Sequence, residues 1–185
     1  MPDNPRRKHD SAASKEALLR AAAELFAERG FEQTTVREVA ARAGVNQALL
    51  FRYFGSKQEL FAEVLGIGSD SVLEESPADL PRRLVTEVLS LRQTGGDHPF
   101  AVMLRSFNDE RAARLLRERV GERYIAKLCE LTDAPDAELR AGLVLACVLG
   151  LGLSRSVLHN EALAAADPEA ISAHMMRVVA ALMEG

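Results

Sequence analysis

The chain has 185 residues, 48% apolar and 27% charged, with a net charge of −4, enough to bury a core without covalent staples. Its two cysteines, Cys129 and Cys147, form neither a disulfide framework nor a Cys-x-x-Cys pair, and no apolar stretch follows the basic start. The longest uncharged apolar run, Gly142 to Ser154, is too short to span a bilayer. A secreted disulfide scaffold, a signal peptide and a membrane protein are thereby excluded, and a reducing cytoplasm is expected.

Charge is unevenly spread. Residues 1–61 carry ten Lys/Arg against eight Asp/Glu, a balance of +2, whereas residues 62–185 carry thirteen against nineteen, a balance of −6. Six of the nine aromatics (Phe26, Phe31, Phe51, Tyr53, Phe54 and Phe61) also fall before residue 62. Phosphate binding follows local charge, so the acidic total does not exclude nucleic acid. Two chemistries along one chain predict two domains.

In chain order, residues 1–13 read as a flexible basic arm with Arg6, Arg7 and Lys8. From Ser14, Leu18, Leu19, Ala22, Leu25 and Phe26 recur at helical spacing. Gly30 is placed to end that helix, with Phe31 folding back on its last turn. Thr35 to Glu38 is a capping box opening a short helix that stops at Gly44. Asn46 caps a third helix near Gln47 to Tyr53, and the box Ser56 to Glu59 opens a fourth. Further helices are predicted over 81–92, 99–107, 110–131, 137–159 and 168–183, with Asp136 and Asp167 as N-caps of the last two. No strand pattern competes. The fold class is all-α, a three-helix helix-turn-helix domain followed by a larger helical bundle.

Thr35 to Lys57 is the informative stretch. Two short helices joined by a tight turn form a helix-turn-helix. Val39 and Ala40 face inward, Gly44 supplies positive φ, and Val45 and Leu50 bury the joint. Gln47, Ala48, Leu49, Arg52 and Tyr53 then project toward a partner, while Phe51 and Phe54 are expected in the core.

The segment AAAELFAERGFEQTTVREVAARAGVNQALLFRYFGSKQELF resembles the DNA-binding domain of the TetR family of bacterial regulators, most specifically in its turn Phe54-Gly55-Ser56-Lys57. The similarity covers about residues 14–61; residues 62–185 are more loosely similar to the family's helical effector domains. The resemblance implies a homodimer on a double-stranded DNA operator, released by a small molecule held in the larger domain. It implies that Thr35 caps onto a phosphate, that Gln47, Ala48, Leu49 and Arg52 lie in the major groove, and that Tyr53 and Lys57 contact the backbone. Phe51 stands where the family usually has tyrosine, which removes a hydroxyl. Leu49 is suited to a thymine methyl, Gln47 to adenine, and Arg52 to guanine or phosphate. The division that follows is 1–13 arm, 14–61 DNA-binding domain and 62–185 ligand-binding and dimerisation domain.

In the second half, Gly142, Ala146, Gly150 and Ser154 recur every four residues and lay a stripe of small side chains along one helix. Ile171, Met175, Val178 and Leu182 form a matching seam on the last helix, and the two together suit a four-helix dimer interface. Phe100, Met103, Leu104, Phe107 and Tyr124 are candidates for an apolar pocket taking a hydrophobic effector, with plain core packing as the alternative. Cys129 and Cys147 read as buried thiols.

Other classes find little support. The positions three before His98, His159 and His174 hold no glutamate, so the helical di-metal motif is absent. Gly150 to Arg155 echoes a dinucleotide loop but lies inside a helix with no strand before it. No cofactor or enzymatic activity is expected. A helical adaptor that binds protein is opposed by the basic, aromatic-rich first domain.

Overall fold

The computed structural model describes residues 5–74, 76–90, 99–106 and 108–184; within these, the side chains of 5–10, 67–71, 99–101 and 119 are not described. The described residues contain helices and no strand. They are α1 (Pro5–Gln33), α2 (Val36–Arg42), α3 (Gln47–Phe54), α4 (Lys57–Leu73), α5 (Leu80–Ser90) and α6 (Pro99–Ser106). Then follow α7 (Glu110–Leu116), a π-helical turn Arg117–Gly121, α8 (Glu122–Cys129), α9 (Ala137–Ser156), α10 (Glu161–Ala165) and α11 (Pro168–Met183).

Most spans follow the sequence reading, and the differences have local causes. α1 begins at Pro5 rather than Ser14. Proline is well suited to a first helical position, and the Ser11 hydroxyl, 3.0 Å from the Tyr53 hydroxyl, fixes this added length to α3. Residues 11–13 are therefore helix rather than a loose arm; the side chains of Arg6, Arg7 and Lys8 lie outside the described residues. The helix expected over 110–131 is divided by the π turn. At Asp136 the carboxylate bonds Arg140 Nε at 2.6 Å instead of capping α9, and that guanidinium holds it below the ordinary carboxylate range. Asp167 does cap α11, accepting from Glu169 N.

The chain forms two compact units whose boundary falls within α4, after Ile67. α6 and α7 group with α1–α3 rather than with the helices after them, so the second unit is not the contiguous 62–185 of the sequence reading. In the first unit α1 packs along α6, and Leu18, Ala22, Leu25, Phe26, Val39, Leu50, Leu60 and Phe61 are buried. The rings of Phe26, Phe31 and Phe61 meet pairwise, with centroids 4.9–5.9 Å apart, each contact worth about 0.5–1.5 kcal/mol beyond area burial. Gly30 breaks α1 at φ 82°, ψ 173°, and Phe31 stacks back on Phe26 as expected. Beyond the break, Thr34 Oγ1 donates to the carbonyls of Leu25 and Gly30, and Phe31 N donates to Ser106 Oγ on α6.

In the second unit α9 packs with α5, α8 and α11. Its Ala141, Val144, Val148, Leu151 and Gly152 are buried, and Arg140 Nη1 donates to the Leu182 carbonyl of α11 at 2.7 Å. α9 is longer than the uncharged run inside it, and its 20 residues meet the length and hydropathy of a membrane span (mean 1.6). Only 28% of that apolar window is buried. The exposed part is one face: Leu139, Leu143, Leu153 and Val157, with Ala146 and Cys147 between them.

Candidate nucleic-acid interface

The helix α3 is positioned by its neighbours' caps. Thr35 Oγ1 accepts from Glu38 N, while Glu38 Oε2 accepts from Thr35 N at 2.9 Å and from the Thr35 hydroxyl at 2.7 Å. These Thr35 bonds, helped by Arg29, hold the Glu38 carboxyl below its ordinary range. Gly44 turns the chain at φ 68°, and Asn46 Oδ1 accepts from Ala48 N at 2.8 Å to start α3. Both features follow the sequence reading.

Leu50 and Phe54, four apart, face inward at 0% and 6% exposure. Gln47, Ala48, Phe51 and Arg52 are exposed, and Leu49 and Tyr53 are half-buried. Phe51 corrects the sequence reading, which put it in the core. At 47% exposure it sits in the middle of the presented face, because one residue past Leu50 turns the side chain about 100° away from the inner stripe. The i, i+4 pair Leu50 and Phe54 carried that signal.

Two further expected roles change. The Lys57 ammonium does not stand free for a phosphate: it donates to the carbonyls of Phe31 at 2.6 Å and Thr34 at 2.8 Å, and lies 4.2 Å from the centre of the Phe31 ring. Burial pushes its pKa down, against the pull of Asp109 and Glu32. Thr35's hydroxyl proton is likewise committed to Glu38, so it has none to give a phosphate oxygen. Lys57 thus closes the carbonyl end of α1. Lys57→Met keeps the stem and removes that closure, so the melting point should fall by about 3–12 °C, from a net loss of about 1.5–3 kcal/mol, that of one charged hydrogen bond, at about 2–4 °C per kcal/mol. The salt slope of duplex binding should not change. A flattened slope with an unaltered melt would restore the phosphate role.

Charge pairing shows which cations remain available. Lys15 pairs with Glu63, Arg20 with Glu16, Arg29 with Glu38, and Arg42 with both Glu24 and Glu28. Arg42 holds the Glu28 carboxyl below its ordinary range. Among the described side chains of α1–α3, Arg37 and Arg52 are the exposed cations with no carboxylate partner. Arg52 lies 5.8 Å from the Tyr53 ring centre. The sequence reading passed over Arg37, since spacing alone does not tell which of several arginines is neutralised. Two free guanidiniums beside an exposed amide and an exposed ring can hold phosphates and read base edges together.

Of the expected pocket residues, Met103 and Leu104 belong to the first unit and Tyr124 to the second, while Phe107 and the side chain of Phe100 lie outside the described residues. On the expected dimer seam, Ile171 is buried within its own unit at 7% exposure, turned inward with Val179 and Met183. Val178 is exposed, and Met175 and Leu182 are half-buried. A Cβ added to Gly142 or Gly150 would meet no atom of the described residues within 4 Å, so within its own unit the described part leaves these two positions of the stripe open.

A helix-turn-helix with a cleared, partly cationic reading helix, followed by a separate helical unit, defines a DNA-binding regulator. Residues 14–64 match the profile of bacterial regulatory proteins of the tetR family, and residues 78–183 match the tetracyclin repressor-like C-terminal domain. The chain belongs to the TetR family of transcriptional regulators. It is 35% identical over 143 residues to the HTH-type transcriptional repressor Rv3405c of Mycobacterium tuberculosis, covering 73% of this chain and 68% of that one. Among solved structures, a TetR-family regulator from Streptomyces coelicolor superposes with a TM-score of 0.65 at 31% identity, over 94% of this chain and 96% of that one. The NalD repressor of Pseudomonas aeruginosa shares the fold with a TM-score of 0.68 at 21% identity, over 92% and 95%.

Proposed function

We propose that the protein is a homodimeric repressor that binds a palindromic operator in the cytoplasm and is released by a small molecule. The observation that carries the DNA-binding geometry is the exposed face of α3, with Gln47, Ala48, Phe51 and Arg52 clear of the core and Arg37 unpaired on α2. Gln47 offers a bidentate amide for adenine, Arg52 a fork for guanine or phosphate, and Leu49 and Phe51 apolar surface for thymine methyls. Arg37 supplies a phosphate contact, taking the place first expected for Lys57. Tyr53 supports the helix through Ser11, and with the Ser11 hydroxyl donating in that bond the Tyr53 proton is left for a backbone oxygen.

Repression is supported by the name of the Mycobacterium tuberculosis relative. Release by a small molecule is supported by two structures of the same fold, the SmeT–triclosan complex and a Saccharomonospora viridis regulator with choline. The dimer is supported by α9, which carries an apolar outward face that the described residues of its own unit leave exposed. One helix-turn-helix reads only a half-site, so two-fold symmetry in the protein requires it in the operator.

Selection of bound duplexes from a random pool tests this reading, and a palindromic consensus is the expected outcome. Gln47→Ala and Arg52→Ala should then relax particular positions, each lost bidentate contact costing about 1–3 kcal/mol in discrimination. Arg37→Ala should weaken all sequences alike and reduce the salt slope by about 0.9 per contact, or roughly twice that per dimer. A full consensus retained by both α3 variants would remove α3 as the reader.

A further inference from the structure

Resting on the ligand-responsive reading above, we infer that the second unit takes an acidic effector, a small molecule whose oxyanion group is bound by Arg155 on α9. Arg155 is 7% exposed, and it is the one charged side chain among the buried residues described. Its Nε makes no hydrogen bond, and its Nη1 makes a long one, 3.5 Å, to the Leu89 carbonyl of α5. No carboxylate among the described residues pairs with it.

A guanidinium cannot escape burial by giving up its proton, because its pKa lies far above any working pH. An unpaired charge in an apolar interior carries a large desolvation penalty, so buried cations are found with counter-charges. The carbonyl end of α9 contributes a partial negative charge, since Arg155 lies in its last turn. That leaves a planar fork with most of its five donors unused, the geometry that matches a carboxylate or phosphate edge. Along α9, Val148 and Leu151 precede Arg155 at seven and four residues and share its buried face, while Val85, Val88 and Leu89 are buried on α5. An apolar body with an acidic head suits such surroundings; a neutral apolar molecule leaves the charge unanswered.

The test compares the dialysed wild-type dimer with Arg155→Met, which keeps the volume and removes the charge. Probes are sodium acetate, hexanoate, octanoate and benzoate, inorganic phosphate, and 1-octanol as the uncharged control. At a hundredfold excess over Kd, a bound probe should raise the wild-type melting point by about 5–10 °C. The expected result is such a rise with at least one carboxylate or with phosphate, none with 1-octanol, and none in Arg155→Met. The response to phosphate without a carbon chain tells whether an oxyanion alone suffices or an apolar body is also needed. The unliganded variant should melt at or above the wild type, because the hydrogen bond it gives up is the long one to the Leu89 carbonyl and the buried unpaired charge goes with it. Three results would overturn the inference: no probe shifting the wild type, equal shifts in both proteins, or a variant melting well below the wild type. The last means that the chain or a second copy already supplies the counter-charge. Operator binding is measured in parallel: Arg155→Met should bind the duplex yet resist release by the anion. If neither protein binds any duplex, the regulator reading fails while the melting comparison still decides the anion site.

Discussion

Gly30→Ala should abolish tight operator binding and lower the melting point by roughly 4–24 °C, the largest loss expected from a single methyl group among the described glycines. Two costs meet at the position. Its φ of 82° strains any residue with a Cβ, and the added carbon would stand 2.5 Å from the Arg105 carbonyl oxygen on α6. The obstacle is backbone, so it cannot swing aside as a side-chain tip would. Strained backbone costs about 1–3 kcal/mol and overpacking another 1–3, which at about 2–4 °C per kcal/mol gives the range above. The damage reaches DNA binding because the next residues carry the anchors of α2. Phe31 N holds Ser106, the Gly30 carbonyl accepts from Thr34, and Thr35 starts α2. Gly44→Ala separates the two costs. Gly44 has φ 68° with nothing within 4 Å of an added Cβ, so alanine there should cost only the strain, about 1–3 kcal/mol. Equal melting points for the two variants would show that the approach of α6 does not constrain α1.

Features built by neighbours in sequence were legible before the structure. The Thr35–Glu38 box, the Asn46 cap, the turn at Gly44 and the span of α11 each depend on residues within four positions of one another. Features built by distant partners were not. Arg42 is neutralised by Glu28, fourteen positions away, and Lys57 is consumed by carbonyls twenty-six and twenty-three positions away. A charge count registers every cation and cannot say which are free, so it neither singles out Arg37 nor shows that Lys57 bonds backbone carbonyls. Grouping of α6 and α7 with α1 failed for the same reason, since Ser106 meets Phe31 across seventy-five positions. Phe51 and Ile171 were errors of phase rather than of distance. Both lie on correctly placed helices, and a rotation of one residue decides whether an apolar side chain packs inward or faces out. Arg155 lies on the helix expected over 137–159, and α9 does carry it, yet nothing in its spacing shows that no carboxylate among the described residues reaches it.

Gly150→Leu should convert the proposed dimer to monomer at micromolar concentration and take operator affinity down with it. Within one chain the substitution is easy: an added Cβ at Gly150 meets no atom within 4 Å, and leucine improves helix propensity by up to about 1 kcal/mol. Across a two-fold axis it is not. The stripe Gly142, Ala146, Gly150 and Ser154 allows a partner helix to approach closely, with Leu143 and Leu153 beside it at 44% and 39% exposure ready to be covered. A branched side chain there forces the helices apart, at about 1–3 kcal/mol per site imposed twice, which weakens dimerisation roughly thirtyfold or more. Leu143→Glu is a second probe of the same face, since association would bury a carboxylate against apolar surface. Sedimentation, far-ultraviolet circular dichroism and duplex binding read the three consequences separately. Retained helicity with a monomeric boundary and weak duplex binding is the expected set. If both variants stay dimeric and bind operator as the wild type does, the exposed face of α9 is not the interface, and the dimer must close elsewhere.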